Sequence, residues 1–215
     1  MPDQVKHRSY DASRRRTAAS RRREAILQAA YQAFVTNGYS GTTMAAIAGG
    51  AGVALDTVYA SVGTKPQLLR LLVEAAISDT DGPVDVLDRD YIAAITAEPD
   101  ADQKINLYAA ALTGIQQRLA PLMRVLRTAA STEPDIAGIW SELLDRRASN
   151  MPLLVDHLAT TGRLRPELPR DEVADTVWAV NSTEVYELLV HQREWTADQY
   201  ERWLARTLRR LLLTD

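Results

Sequence analysis

Residues 41–65 read GTTMAAIAGGAGVALDTVYASVGTK. Thr43 is an N-cap residue, and Met44, Ile47, Ala48 and Ala51 follow it at helical spacing. Gly52 supplies the positive φ that a tight reversal needs. A second short helix follows, over about residues 55–61. Two short helices joined by a glycine turn are what a helix-turn-helix requires: the first braces the second, and the second lies in a DNA major groove. Ile47, Val53 and Val58 are the apolar residues that would hold the pair at a fixed angle. Spacing alone fits any helical hairpin in a core equally well.

Working outward, helical periodicity runs through the whole chain and strand signals are nearly absent. Ile26, Leu27, Ala30, Tyr31 and Phe34 mark a helix that Asn37 and Gly38 stop. Thr64 with Gln67 reads as a capping box that opens a long helix bearing Leu68, Leu69, Leu72, Val73 and Ala76. Gly82 and Pro83 should break that helix. Residues 84–98 are a weaker helix. Asp100 with Gln103 caps the next one, and Pro121 and Pro134 mark further boundaries. Pro152 should kink or break the segment over about residues 135–161, which Gly162 stops. A helix is expected from about 171 to 193, and Thr196 with Gln199 caps the last one, with Trp195 stapled against Tyr200.

The charge is divided unevenly. Residues 1–23 hold eight Lys/Arg and two acids, a net +6; the remainder holds 17 basic and 26 acidic residues, a net −9. A basic end on an acidic body points to a polyanion at that end, with a solvated disordered tail as the alternative. Its arginine triplets, Arg14 to Arg16 and Arg21 to Arg23, suit phosphates or a narrow minor groove. There are no cysteines, which excludes disulfides and thiolate chemistry and fits a reducing cytoplasm. The apolar runs fall short of the roughly 20 residues of a membrane helix, so no membrane partner is expected. The three histidines are scattered and no Gly-rich phosphate loop is present. No metal, cofactor or catalytic residue is therefore expected, and the chain reads as a non-enzyme.

Thr42, Thr43, Thr57, Tyr59 and Lys65 are donors suited to phosphate oxygens, contacts that set register without reading sequence. Residues 22–76 resemble the N-terminal domain of the TetR/AcrR family of bacterial transcriptional repressors. The resemblance rests on Ala29-Ala30, Phe34, Gly38-Tyr39, Thr42-Thr43, Ile47-Ala48, Ala51-Gly52-Val53, Thr57-Val58-Tyr59, Lys65 and Leu68-Leu69. It covers about the first third of the chain. It implies an all-α protein: an N-terminal three-helix helix-turn-helix domain joined to a larger helical ligand-binding and dimerisation domain. It also implies that Leu55, Asp56, Thr57, Ala60 and Ser61 face the groove and that Tyr59 and Lys65 contact phosphates. Asp56 could accept from a cytosine amino group or simply face the helix dipole. Three residues depart from the pattern: Ala54 replaces a capping serine, Ala60 a larger contact residue and Val62 a phenylalanine.

The domains expected are a basic disordered arm (1–19), a helix-turn-helix domain (20–65) and a ligand-binding and dimerisation domain (66–215). Arg21 and Arg22 complete the DNA-binding set. In the body, Tyr108, Trp140, Trp178 and Asn181 are the candidate ligand contacts, although core packing explains each aromatic as well. The resemblance implies a homodimer through the last two helices, with Val177, Val180, Trp203, Leu204, Leu208 and Leu211 as candidates. The function expected is a ligand-released repressor, a homodimer on a pseudo-palindromic operator in double-stranded DNA, with an unknown small-molecule effector. The rivals are a helical enzyme or small-molecule carrier and a nonspecific DNA binder.

Overall fold

The computed structural model describes residues 5–80 and 84–214, with side chains in the first helix from Thr17 onward. Two compact units divide between Leu72 and Val73. The class is all-α. Among the described residues, extended backbone pairs only at an isolated antiparallel bridge between Leu164 and Leu213. No single helix there is long and apolar enough to cross a membrane.

The first unit begins with α1, Val5–Asn37. This corrects the expectation of disorder over residues 1–19: the backbone is helical from Val5, and positions 1–4 lie outside the described residues. The stretch is rich in Ala and Arg and contains no Gly or Pro, so nothing local opposes the helix. Ile26, Ala30 and Phe34 form its buried stripe. Gly38, at φ 70°, ends it.

Helix α2 spans Met44–Ala51, and Thr43 caps it by accepting from the Ala46 N–H at 3.1 Å. Gly52 adopts φ 66°. Its N–H bonds the Gly49 carbonyl, and the Val53 N–H bonds that of Ala48. This pair of bonds satisfies the orphan carbonyls at the helix end. Helix α3 spans Leu55–Val62, and Ala54 makes no side-chain cap. Helix α4 spans Lys65–Ser78. Gln67 Oε1 accepts from the Thr64 N–H at 2.8 Å. A Cβ on Gly63 would lie 2.2 Å from that oxygen, so the capping arrangement needs a glycine there. Gly82 and Pro83 lie outside the described residues; α4 has already ended at Ser78, and Asp79 takes φ 58°. The boundary between units falls inside α4, seven residues beyond the expected break after residue 65.

The second unit holds a single 3-10 turn, Val86–Asp88, and α5, Asp90–Ala97, where a weaker helix was expected. Helices α6 (Ala101–Ala130) and α7 (Pro134–Ala159) follow. Asp100 caps α6 by accepting from the Gln103 N–H at 2.9 Å. Pro121 is not a boundary. It sits inside α6, as Pro152 sits inside α7, and both helices run on. Proline removes one backbone bond, but around Pro121 the residues Leu119, Ala120, Leu122 and Met123 are all buried and keep the helix in place.

The helix expected over residues 171–193 is divided. Helix α8 is Arg170–Val180; α9 is Thr183–Tyr186, prolonged by a π-helical turn, Glu187–Gln192. Ser182 begins α9 by accepting from the Val185 N–H at 3.2 Å. Helix α10, Ala197–Leu212, opens with both arms of the Thr196–Gln199 capping box. Trp195 packs edge-on against Trp203, at 6.2 Å, rather than Tyr200. Ile105, Val155, Leu158, Val173, Val177, Tyr200, Leu204 and Leu208 belong to one core.

Candidate functional site

In the first unit, the chain bends by 101° between α2 and α3. That lies in the range of helix-turn-helix pairs. Ile47 and Val58 are fully buried and Val53 half-buried, so one face of each helix is committed to holding the pair together. The outer face of α3 presents Leu55, 40% exposed, and Tyr59, 47% exposed. They stand one turn apart, with Asp56 and Ala60 exposed between and beside them; Thr57 and Ser61 are half-buried. An apolar group, a carboxylate and a phenol thus share a surface that nothing in this unit covers.

Thr42 is a correction. It is 1% exposed, and its hydroxyl donates to the carbonyls of Ala33 at 2.9 Å and Gly38 at 2.7 Å. It secures the α1–α2 turn and has no donor left for a phosphate. Thr43 is exposed, and its oxygen caps α2 while its hydroxyl proton stays available. Lys65 lies with Nζ 4.0 Å from the Tyr39 ring centroid. Tyr39 in turn stacks on Phe34 at 6.0 Å. The stack places the ammonium at the start of α4.

Arg21 and Arg22 are exposed, as a phosphate contact requires. Arg23 is different: its Nη1 donates to the Ser61 carbonyl at 2.8 Å. A cation on the last turn of α3 complements the negative end of the helix dipole. Sequence reasoning grouped Arg23 with the arm. A signal existed, because Arg23 stands three residues before Ile26, on the buried stripe of α1.

In the second unit a cavity of about 110 Å³ opens among α5, α6 and α7. Ile92, Ile95, Ile115 and Leu154 are among its apolar lining, and Tyr108 and Thr183 reach it. Tyr108 is buried, which pushes its phenol well above the usual tyrosine range and keeps the hydroxyl neutral. Trp140, Trp178 and Asn181 do not line the cavity, which corrects three of the four expected contacts. Trp140 is half-buried elsewhere on α7. Trp178 lies under the Arg147 guanidinium at 5.0 Å. Asn181 is fully buried behind the cavity wall; its Nδ2 donates to Tyr108 Oη, and its carbonyl accepts from Gln116 Nε2 at 2.8 Å. Sequence reasoning missed Arg89, Arg146, Arg147 and His157, all of which line the cavity. Their spacing carries no signal, because surface arginines on these helices look the same.

The dimer candidates also divide. Val177, Leu204 and Leu208 are fully buried in the chain's own core, so they are corrected from interface to core. Val180 and Trp203 are half-buried, and Leu211 is 44% exposed. Trp203, itself packed against that core, Thr207 and Leu211 recur every fourth residue along α10 and form its partly exposed stripe.

Comparison with known proteins agrees with this division. Residues 26–72 match the family model described as bacterial regulatory proteins, tetR family. No curated protein sequence matches the chain. Among solved structures, the MbdR regulator from Azoarcus sp. CIB is 26% identical, with a TM-score of 0.64 over 86% of this chain and 95% of that one. A protein from Saccharomonospora viridis, assigned as a transcriptional regulator and solved in complex with choline, is 17% identical, with a TM-score of 0.65 over 90% and 98%. A protein of Mesorhizobium loti MAFF303099, assigned to the TetR family, is 18% identical, with a TM-score of 0.64 over 91% and 98%. The fold and the α2–α3 site define a helix-turn-helix DNA-binding regulator. Residues 26–72 place the first unit among the DNA-binding domains of the TetR family of transcriptional regulators.

Proposed function

We propose that this regulator is a ligand-released repressor that acts in the cytoplasm as a homodimer on a pseudo-palindromic operator. The observation that carries the reading is the outer face of α3, which leaves Leu55, Asp56, Tyr59 and Ala60 uncovered. A major groove admits such a helix and presents a distinct pattern for each base pair. Tyr59, Thr43, Lys65, Arg21 and Arg22 contact phosphates; Leu55, Asp56, Thr57, Ala60 and Ser61 face the base edges. The partner is a second copy of the chain, joined through the partly exposed stripe of α10 and the half-buried Val180 of α8. Two heads then read two half-sites about one helical turn, or a multiple of it, apart.

The effector is a small molecule held in the cavity of the second unit. It acts by preferring a dimer that holds operator poorly, a population shift driven by differential affinity. Choline bound in the Saccharomonospora viridis protein shows that a relative of this fold takes a small ligand. Tyr108 is the expected contact that stays in the effector set. Regulation, not turnover, is the role of that cavity.

The test is a binding selection on randomised duplexes, with sedimentation of the free and bound protein. An enriched inverted repeat bound by two chains supports the reading. Equal affinity for all duplexes would leave only nonspecific binding, and a single chain per site would remove the dimer.

A further inference from the structure

We propose that the cavity of the second unit selects a small carboxylate: one anionic group on a compact apolar body, such as a single ring. This rests on the reading of the cavity as the effector site and adds the chemical class of the effector. The charge of the lining carries it. Arg89, Arg146, Arg147 and His157 line the cavity, and no Asp or Glu does so among the described residues.

One of these cations is already matched. Arg146 pairs with the buried Glu74 at 2.8 Å, and Glu74 is not part of the lining. The other two arginines have no carboxylate partner among the described residues. Arg147 donates through Nη2 to the Trp178 carbonyl and to Asn181 Oδ1, and it lies against the Trp178 ring. Its bonds therefore hold one corner of the guanidinium and leave the Nε and Nη1 donors for an occupant. Arg89 bonds the Val84 carbonyl through Nη2 at 3.4 Å, and its Nε is buried without a partner. A buried guanidinium is stabilised by an anion that accepts two parallel bonds, and a carboxylate has that geometry.

Neutral groups complete the cradle. Tyr108 Oη accepts from Asn181 and, among the described residues, donates only to the weak acceptor Met151 Sδ at 3.9 Å, a bond that an anionic occupant would replace. Burial depresses the proton affinity of His157, chiefly by desolvation and secondarily through Lys104, which favours the neutral imidazole. Desolvation likewise lowers that of Arg147, which is sunk into the protein, against smaller opposing effects of Tyr108, Glu184 and Tyr200. The rest of the wall is aliphatic, and 110 Å³ is close to the volume of a cavity of about 150 Å³ that takes benzene. The apolar body is therefore small.

The experiment is calorimetric titration of the full-length protein, without DNA, with benzoate, benzamide, benzyl alcohol, benzyltrimethylammonium and acetate. Benzoate is expected to bind about tenfold to a hundredfold more tightly than benzamide or benzyl alcohol, the ratio a charge-assisted hydrogen bond provides. Acetate, which lacks the body, and the quaternary cation should bind much more weakly. Arg89→Met and Arg147→Met should each reduce the preference for benzoate over benzamide, weakening benzoate more than benzamide. Arg147 also supports Asn181, so if that variant melts early Arg89→Met decides the matter. Equal affinity for benzoate and benzamide, preference for the cation, or no binding of benzoate at millimolar concentration would overturn the proposal. Operator binding in the presence of each compound separates the two readings. Benzoate that binds but leaves operator affinity unchanged removes ligand release and keeps the carboxylate site. Release by neutral compounds alone does the reverse.

Discussion

The two units use arginine in opposite ways. In the first, Arg21 and Arg22 face water on α1, beside a recognition helix that also faces water. In the second, Arg89 and Arg147 line a cavity that no Asp or Glu lines among the described residues, and Glu74 serves Arg146. An exposed arginine loses little when it meets a phosphate, because its partner exchanges with solvent and counterions. A buried one gains more from a matched anion, because water is no longer there to compete. The same residue type is thus proposed to meet a long polyanion in one unit and a single small anion in the other.

The comparison is most severely tested through the core of the second unit. Leu208→Glu places a carboxylate at a position with no exposure. The expected loss is several kcal/mol of stability, about 3–5, the scale of an uncompensated buried charge. Thermal melting should show an early transition assigned to this unit, while operator binding at low temperature weakens only as the fold is lost. A variant that melts normally but sediments as a monomer would move Leu208 back to the interface.

Tyr59→Phe sharpens the other side. The ring is 47% exposed and packs against nothing that the hydroxyl stabilises, so melting should be unchanged. The lost bond to phosphate should cost about 1.5–3 kcal/mol at each half-site, nearly equally for all sequences. Unaltered affinity for every duplex would mean that α3 does not dock as proposed. Leu55→Ala in the same selection should instead alter the preference at one symmetric pair of base positions.

Arg23→Gln asks whether an arginine inside the first unit acts structurally. Removing its bond to the Ser61 carbonyl should destabilise the end of α3 by about 1 kcal/mol. Hydrogen exchange of the last turn of α3 would report it. If operator affinity falls and exchange is unchanged, Arg23 belongs with Arg21 and Arg22 as a DNA contact.

The smallest effect is expected for Leu211→Ser. This residue is 44% exposed in the single chain, so the fold should barely respond. Losing its partial burial against a partner should weaken the dimer by about 1 kcal/mol per chain. Sedimentation over a range of concentrations measures that shift, and an unchanged dimer constant would place the contact elsewhere on the second unit.

Where a residue's role depends on neighbours three or four positions away, the sequence determined it. Thr43, Asp100 and Thr196 cap their helices, and Gly38 and Gly52 end theirs, because capping is a bond within one turn. The helix-turn-helix pair was legible for the same reason: its turn, caps and buried faces lie within 25 consecutive residues. The roles decided by distant partners were not legible. Thr42 looked like a donor for phosphate until its hydroxyl met the Ala33 carbonyl. Pro121 looked like a helix end until its buried neighbours held α6 together. Leu208 and Leu211 lie on one amphipathic helix, yet only the packing of α10 on its own core turns the first inward and leaves the second exposed. Asn181 reaches Gln116, 65 residues away, and Tyr108, 73 away. Those bonds close the cavity wall, and no periodicity in the sequence encodes which helix will stand opposite. Local bonds follow from adjacent residues; a cavity and the charge inside it exist only once separate helices have packed together.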